Sequence, residues 1–256
     1  MYFIGIDLGT SAVKLLMMDE TGNILQTISE TYPINYPRPG WSEQNPRDWW
    51  EAVVRGLSRL TAGTDAGQIA GVSFGGQMHG LVILDANDEV IRPAILWNDG
   101  RTEEETKYLN EVIGREKLLA WTGNVAFAGF TAPKLLWLKK HEPENFAKIH
   151  KIMLPKDYIA YKLTGVFSTD VSDASGTLLF DVRERAWSED MMDICDVYIE
   201  QLPQIYESYE MTGYVTPQVA GETGLSTKCA VAAGVGDNAA AAVGTGTVGN
   251  GMCNIS

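Results

Sequence analysis

Four short stretches of the 256-residue chain hold the side chains best suited to binding or moving charge. The first is Asp7-Leu8-Gly9-Thr10-Ser11-Ala12-Val13-Lys14. Gly9 permits a backbone conformation that a side chain blocks, and it leaves the main chain open to a bulky ligand. Thr10 and Ser11 offer hydroxyls, the exposed amides of such a turn form a small anion nest, and Asp7 can hold a divalent cation through water. A solvent-facing hairpin with a polar turn needs the same residues. The second stretch, Gly234-Val235-Gly236-Asp237-Asn238-Ala239, fits a loose dinucleotide fingerprint, which requires an acidic residue about 20 positions later. No Asp or Glu follows Asp237, so that reading fails. An Asp ahead of an alanine run also serves as a helix cap. Third, Gly75-Gly76-Gln77-Met78-His79-Gly80 sets one histidine among glycines, and a lone histidine is more often structural than reactive. Fourth, Ile95-Leu96-Trp97-Asn98-Asp99-Gly100-Arg101-Thr102 puts an indole beside amide and carboxylate groups. Taken alone it reads as a core tryptophan at a strand end, with Asp99 and Arg101 as a surface ion pair. A Walker A sequence is absent, so a P-loop kinase is not supported.

The elements that must position these stretches follow from pattern. Tyr2 to Leu8, Val13 to Met18 and Ile24 to Tyr32 read as three strands of a meander, with turns at Gly9-Thr10-Ser11 and Asp19 to Asn23. Asn45 and Pro46 start a helix whose face carries Trp49, Val53, Leu57 and Leu60. Ile69 to Phe74 and Leu81 to Leu84 read as buried strands, and Thr102 to Ile113, Pro133 to Lys140 and Lys156 to Leu163 as helices. Asp170 to Thr177 is polar and reads as a loop, Leu178 to Val182 as a short strand. Cys229 to Val235 reads as a strand leading into an Ala-rich helix. A meander followed by alternating helices and strands implies an α/β domain with a mixed sheet.

Composition bounds the function. Hydrophobic residues make up 45% and charged residues 21%, the balance of a soluble globular protein. The net charge of −13 repels nucleic acid and anionic membranes, so any anionic ligand must be held by local features. Cys195, Cys229 and Cys253 are odd in number and far apart, as in reduced cytosolic thiols. Met1-Tyr2-Phe3-Ile4-Gly5 enters a strand directly with no leader pattern, so the expected location is the cytoplasm. The apolar run from Cys229 to Val248 is interrupted by Asp237 and several glycines, which argues against a membrane span.

Gly5-Ile6-Asp7-Leu8-Gly9-Thr10-Ser11 resembles the phosphate-1 loop of the actin, Hsp70 and sugar-kinase superfamily. Gly236-Asp237-Asn238 is similar to the segment in which sugar kinases carry their catalytic base. Gly129-Phe130-Thr131-Ala132-Pro133-Lys134-Leu135-Leu136-Trp137-Leu138-Lys139-Lys140-His141 resembles the first signature of the FGGY carbohydrate-kinase family along its length. Gln77-Met78-His79-Gly80 is similar to the substrate loop of the xylulose-phosphorylating members. Lys156-Asp157-Tyr158 and Thr169 to Thr177 also resemble family segments, while Ala12 stands where close relatives often have glycine.

The resemblance implies a ribonuclease H-like α/β domain with a mixed sheet flanked by helices. Residues 1–245 would be a sugar-binding domain and 246–256 the start of an ATP-binding domain otherwise missing. It further implies ATP-dependent phosphorylation of D-xylulose to D-xylulose 5-phosphate, with ATP and Mg²⁺ required. Asp237 is then the base. Met78, His79, Trp97, Asp99, Asp237 and Asn238 bind the ketopentose; Gly9, Thr10, Ser11 and Lys14 face phosphate, and Asp7 holds Mg²⁺ through water. The isolated chain is expected to bind sugar without turnover. Other sugars or polyols (L-xylulose, ribulose, glycerol, gluconate), a non-catalytic sugar-binding remnant and a nucleotide-driven switch are the competing readings, and a homodimer is left open.

Overall fold

The computed structural model describes residues 1–255. Its first three strands form the expected antiparallel meander: β1 (Tyr2–Leu8), β2 (Ala12–Asp19) and β3 (Ile24–Thr31). Alternation decides their two faces. Ile4, Ile6 and Leu8 are buried together with Val13, Leu15 and Met17, whereas Phe3 and Asp7 point the other way and are exposed. The register sets Asp7 opposite Lys14.

Helix α1 (Pro46–Thr61) starts where expected, with the Asn45 side chain accepting a hydrogen bond from Arg47 N and proline in the first turn. Trp49, Val53, Leu57 and Leu60 are fully buried on one face. Each aliphatic member of that stripe stabilises the fold by roughly 1.5–3 kcal/mol relative to exposure. The chain returns as β4 (Ile69–Gly76), parallel to β1. Later segments add β5 (Met211–Tyr214), β6 (Ala230–Ala232) and β7 (Val235–Gly236). The seven-stranded sheet runs β5-β6-β4-β1-β2-β3, with β7 also paired to β4. Strand β4 is parallel to β1, β6 and β7, and the other pairings are antiparallel, so the sheet is mixed as predicted.

Helix α1 covers one face of the sheet, and the same apolar core takes in Tyr158, Ile159 and Leu163 of a later helix. A second apolar cluster, including Leu81, Ile83, Ile95, Leu135 and Leu138, builds a lobe beyond the strand ends. Its main helix is α2 (Thr131–His141); α3 (Pro155–Thr164) passes back under the sheet.

Four sequence expectations change. The helix expected over Thr102–Ile113 is α-helical only from Glu103 to Lys107, passes through a π-helical stretch, and breaks at Gly114, whose φ of 102° lies outside the helical range. The strand expected over Cys229–Val235 is split into β6 and β7 by Gly234 at φ 79°. That expected over Leu178–Val182 shrinks to Phe180–Asp181, because Leu178 has φ 62°. Asp170–Thr177 is no open loop: it holds a helical turn, α4 (Val171–Ala174), capped by the Asp170 side chain and followed by a 3₁₀ turn, with Asp170, Asp173 and Thr177 buried. The polarity of that segment serves the interior, where a buried cation awaits it. Among the described residues, no helix is long and apolar enough to cross a membrane.

Candidate functional site

The site forms where β1, β4 and β7 end side by side. Asp7 pairs with Gly75, which pairs with Val235, and Leu8, Gly76 and Gly236 follow in the next row. Strand β4 thus ends in two glycines between β1 and β7, which lets Lys156 and Ala240 pack closely on it: a Cβ on Gly76 would lie 2.9 Å from Lys156 Cβ and one on Gly75 3.3 Å from Ala240 Cβ. Ligands of open α/β sheets lie at such carboxyl ends. Beyond β7 the chain turns into α5 (Asp237–Gly244). Gly236 occupies the cap position, so Asp237 is the first helical residue and does not cap the helix. Its Oδ1 accepts a hydrogen bond from Asn238 N at 2.8 Å. Partial desolvation raises the Asp237 carboxyl above its ordinary pKa, and the Asp7 carboxylate adds to the rise. Both effects make it a better proton acceptor than a solvated aspartate.

Two clefts meet at this carboxylate. The smaller, about 210 Å³, is lined by Met78, His79, Trp97, Asp237 and Asn238. The larger, about 960 Å³, lies between the sheet and α5 and includes Asp7, Gly9, Lys14, Gly75, Asp237 and Val243 in its lining. Thr10 is held at the boundary: its carbonyl accepts from Gln44 Nε2 at 2.7 Å and its hydroxyl from Trp97 Nε1 at 3.0 Å. Tyr32 donates its hydroxyl proton to Gly9 O. Ser11 is exposed at the hairpin tip.

His79 is fixed from three sides. Its backbone has φ 66°, a left-handed conformation uncommon for a residue with a side chain. Its carbonyl accepts from Lys134 Nζ at 2.7 Å and Thr131 Oγ1 at 3.2 Å, and its ring packs on Phe130 with centroids 4.7 Å apart. Nδ1 lies 2.8 Å from Gly176 O. A carbonyl only accepts, so Nδ1 carries the proton and Nε2 is left as an acceptor. Burial lowers the imidazole pKa to about 4, which keeps the ring neutral at physiological pH.

The sequence-derived residues do not all reach the clefts in the same way. Met78, His79, Trp97, Asp237 and Asn238 come together around the smaller one, and Asp7, Gly9 and Lys14 around the larger. Asp99 lies beneath them, 2% exposed, its oxygens accepting from Ser42 N at 2.6 Å and from Arg101 Nε and Nη2 at 2.9 and 2.7 Å. The Asp99–Arg101 pair is therefore buried, with neither side chain exposed, and braces the turn that presents Trp97.

Sequence reasoning left Lys134, Lys156, Asp170 and Asp173 without a role, yet all four are fully buried around the site. Lys134 spans His79 O and Gly129 O, both at 2.7 Å, and burial holds its amine well below the usual lysine range. Lys156 Nζ lies 2.6 Å from Asp157, 2.9 Å from Asp170 and 3.7 Å from Asp173. Neither oxygen of Asp173 has a hydrogen-bond partner. Burial pushes its carboxyl well above the usual range, and the neighbouring carboxylates, Asp237 among them, push the same way against the pull of Lys156. The signals available in sequence were the resemblance of the segments holding these residues to family segments and the run of polar residues at 168–177 beside apolar neighbours.

Residues 2–244 match the model of the FGGY family of carbohydrate kinases, N-terminal domain. The xylulose kinase of Escherichia coli (strain K12) is 46% identical over 246 residues, which is 96% of this chain and 50% of that protein. Among solved structures, a xylulose-type kinase from Brucella ovis superposes with TM-score 0.90 at 40% identity, over 97% of this chain and 50% of the other. A gluconate kinase from Lactobacillus acidophilus superposes with TM-score 0.92 at 28% identity, over 96% of this chain and 50% of the other. The chain spans about half the length of the curated relatives it matches. The mixed sheet with its flanking helices is the actin-like architecture of these sugar kinases, as the sequence resemblance implied. With a family match over nearly all of its length, the chain belongs to the FGGY family of carbohydrate kinases, to whose N-terminal domain it corresponds.

Proposed function

We propose that the protein carrying this chain transfers the γ-phosphoryl group of ATP to D-xylulose, giving D-xylulose 5-phosphate. One observation carries the reading: Asp237 lines both clefts, so a single raised-pKa carboxylate borders a sugar-sized space and a larger one beside the β1–β2 hairpin. In this reading Asp237 takes the proton of the attacking hydroxyl and Asn238 orients the sugar. Met78 and Trp97 give the sugar's C–H faces apolar contact, and His79 Nε2 accepts from one of its hydroxyls. Asp99 contributes from beneath by holding the Trp97 turn.

Gly9, Thr10, Ser11 and Lys14 would face the phosphates, with Lys14 opposite Asp7 in the β1–β2 register. Among the described residues, no group of three or more His, Cys, Asp or Glu side chains is arranged to hold a metal. Mg²⁺ is commonly held by one or two carboxylates, substrate phosphates and water. Asp7 is the residue that would hold it, and the ion supplies positive charge against the phosphate oxygens when bound. Residues 1–245 act as the sugar-binding domain in this proposal, and 246–256 begin a second domain that completes the nucleotide site and excludes water on closure.

The test is Asp237→Asn in the full polypeptide. Turnover is expected to fall by about 10²- to 10⁴-fold, with sugar affinity by calorimetry changed only a few-fold. Wild-type turnover would refute the assignment. The likeness to a gluconate kinase favours one second reading, a different polyhydroxy acceptor. Assay against D-xylulose, L-xylulose, ribulose, glycerol and gluconate separates the two.

A further inference from the structure

The segment 170–177 touches both chemical ends of the site. Asp170 Oδ1 is bound to the buried Lys156 ammonium at 2.9 Å. Its other oxygen accepts from Ser172 N at 2.9 Å, Ser172 Oγ at 2.6 Å and Ser208 Oγ at 2.6 Å. Because Ser172 spends its hydroxyl proton on Asp170, its lone pairs are free to face elsewhere. They accept from Gly236 N at 3.0 Å, the amide immediately before Asp237. Four residues on, Gly176 O takes the Nδ1–H of His79 at 2.8 Å, and Asn124 Nδ2 steadies the neighbouring Ser175 carbonyl at 3.0 Å.

We propose that residues 170–177 form a brace that sets the position of the base Asp237 relative to the sugar-binding imidazole of His79, with Ser172 and Gly176 as positioning residues for phosphoryl transfer. This rests on the roles given above to Asp237 and His79. The need for a brace is visible in the fold. Strand β7 is two residues long and pairs only with Gly75 and Gly76. The Ser172 hydroxyl therefore supplies a fixed point that the local elements lack, referred through Asp170 to the buried Lys156. At the far end the approach is too close for any side chain: a Cβ on Gly176 would lie 2.4 Å from His79 Cε1 and 3.2 Å from Met78 Cε. Both ends thus derive their placement from one short, interior segment. A misplacement of about 1 Å at a reacting centre costs on the order of 10²-fold in rate.

The experiment uses the full polypeptide with Ser172→Ala, Ser172→Thr, Ser172→Cys and Gly176→Ala. Ser172→Ala is expected to lower kcat about 10- to 100-fold while the sugar KM stays within about 3-fold. Ser172→Thr, which keeps the hydroxyl, recovers most of the rate. Gly176→Ala shows the opposite split, a sugar KM raised about 10-fold or more with a smaller change in kcat. A purely structural role would instead scale activity with the folded fraction, leave both KM values unchanged and show no rescue by threonine. That pattern, or wild-type kcat in Ser172→Ala, overturns the brace. If Ser172→Ala does not fold, Ser172→Cys decides: it retains volume but accepts poorly, and an unchanged kcat there overturns the brace equally. Absence of sugar-dependent turnover in the unsubstituted polypeptide overturns the functional reading, and the brace with it.

Discussion

The indole N–H of Trp97 donates to the hydroxyl of Thr10 over 3.0 Å, joining residues 87 positions apart. Trp97 lines the smaller cleft and Thr10 sits in the hairpin that borders the larger, so this bond ties the two together. Trp97→Phe keeps an aromatic face and removes the donor. One partly exposed hydrogen bond is worth about 0.5–1.5 kcal/mol, so the nucleotide KM is expected to rise about 2- to 10-fold with the sugar KM little changed. Initial-rate kinetics with each substrate varied in turn checks this. A change confined to the sugar KM would show that the bond carries no influence between the clefts.

His79 makes a pH prediction. Burial lowers its pKa from 6.5 to about 4, so above pH 6.5 the ring is neutral whether the chain is folded or unfolded. As pH falls from 6.5 towards 4 the unfolded chain binds a proton that the folded chain refuses, and stability declines across that window. Sugar affinity should be flat from neutral pH down to about 5, because Nε2 remains an acceptor until the folded ring protonates. Denaturant unfolding of wild type and His79→Asn at several pH values isolates the histidine contribution, which disappears above pH 6.5.

Asp173 makes the converse prediction. Burial raises its carboxyl well above the ordinary aspartate range, so the unfolded chain ionises this group at a pH where the folded chain does not. Rising pH therefore works against folding at this position. Asp173→Asn is expected to be more stable than wild type at neutral pH, with the gain vanishing near about pH 4. Lys156→Met should instead cost about 3–5 kcal/mol, since it strands buried carboxylates without their cation. Urea titrations at three pH values check both.

Gly129 lies so close to the Trp97 turn that a Cβ there would sit 2.3 Å from Trp97 O. Gly129→Ala must displace either the α2 entry or the indole-bearing turn. A loss of sugar affinity of about 10-fold is expected, together with a lower melting temperature. Calorimetry with D-xylulose and a thermal melt measure the two effects; unchanged affinity would place Trp97 outside sugar recognition.

Much of the site was legible before the fold because its residues lie in short local units. The Asp7–Lys14 hairpin, the Asn45 cap and the Trp49, Val53, Leu57 and Leu60 stripe depend on turn chemistry and on periods of 2 and 3.6, which a few neighbouring residues encode. Asp99 shows where that reasoning stops. Its sequence neighbours place it beside Trp97 and Arg101, but the long-range contact with Ser42, 57 positions away, could not be read from them and helps hold the carboxylate inward.

The sequence by itself determined the mixed α/β class, the order of the strands in the meander and the identity of the carboxylates and imidazole at the strand ends. Tertiary structure alone decided how they are held. Lys156, the Asp170–Ser172 turn and Gly236 come from three separate parts of the chain, and nothing local announces that a polar run will be buried around an ammonium or that its serine will hold the amide before Asp237. Burial of charge is favourable only when its partners arrive with it. Those partners are brought by the packing of α3 and α4 beneath the sheet, so the placement of Asp237 and His79 on one segment is a property of the assembled core.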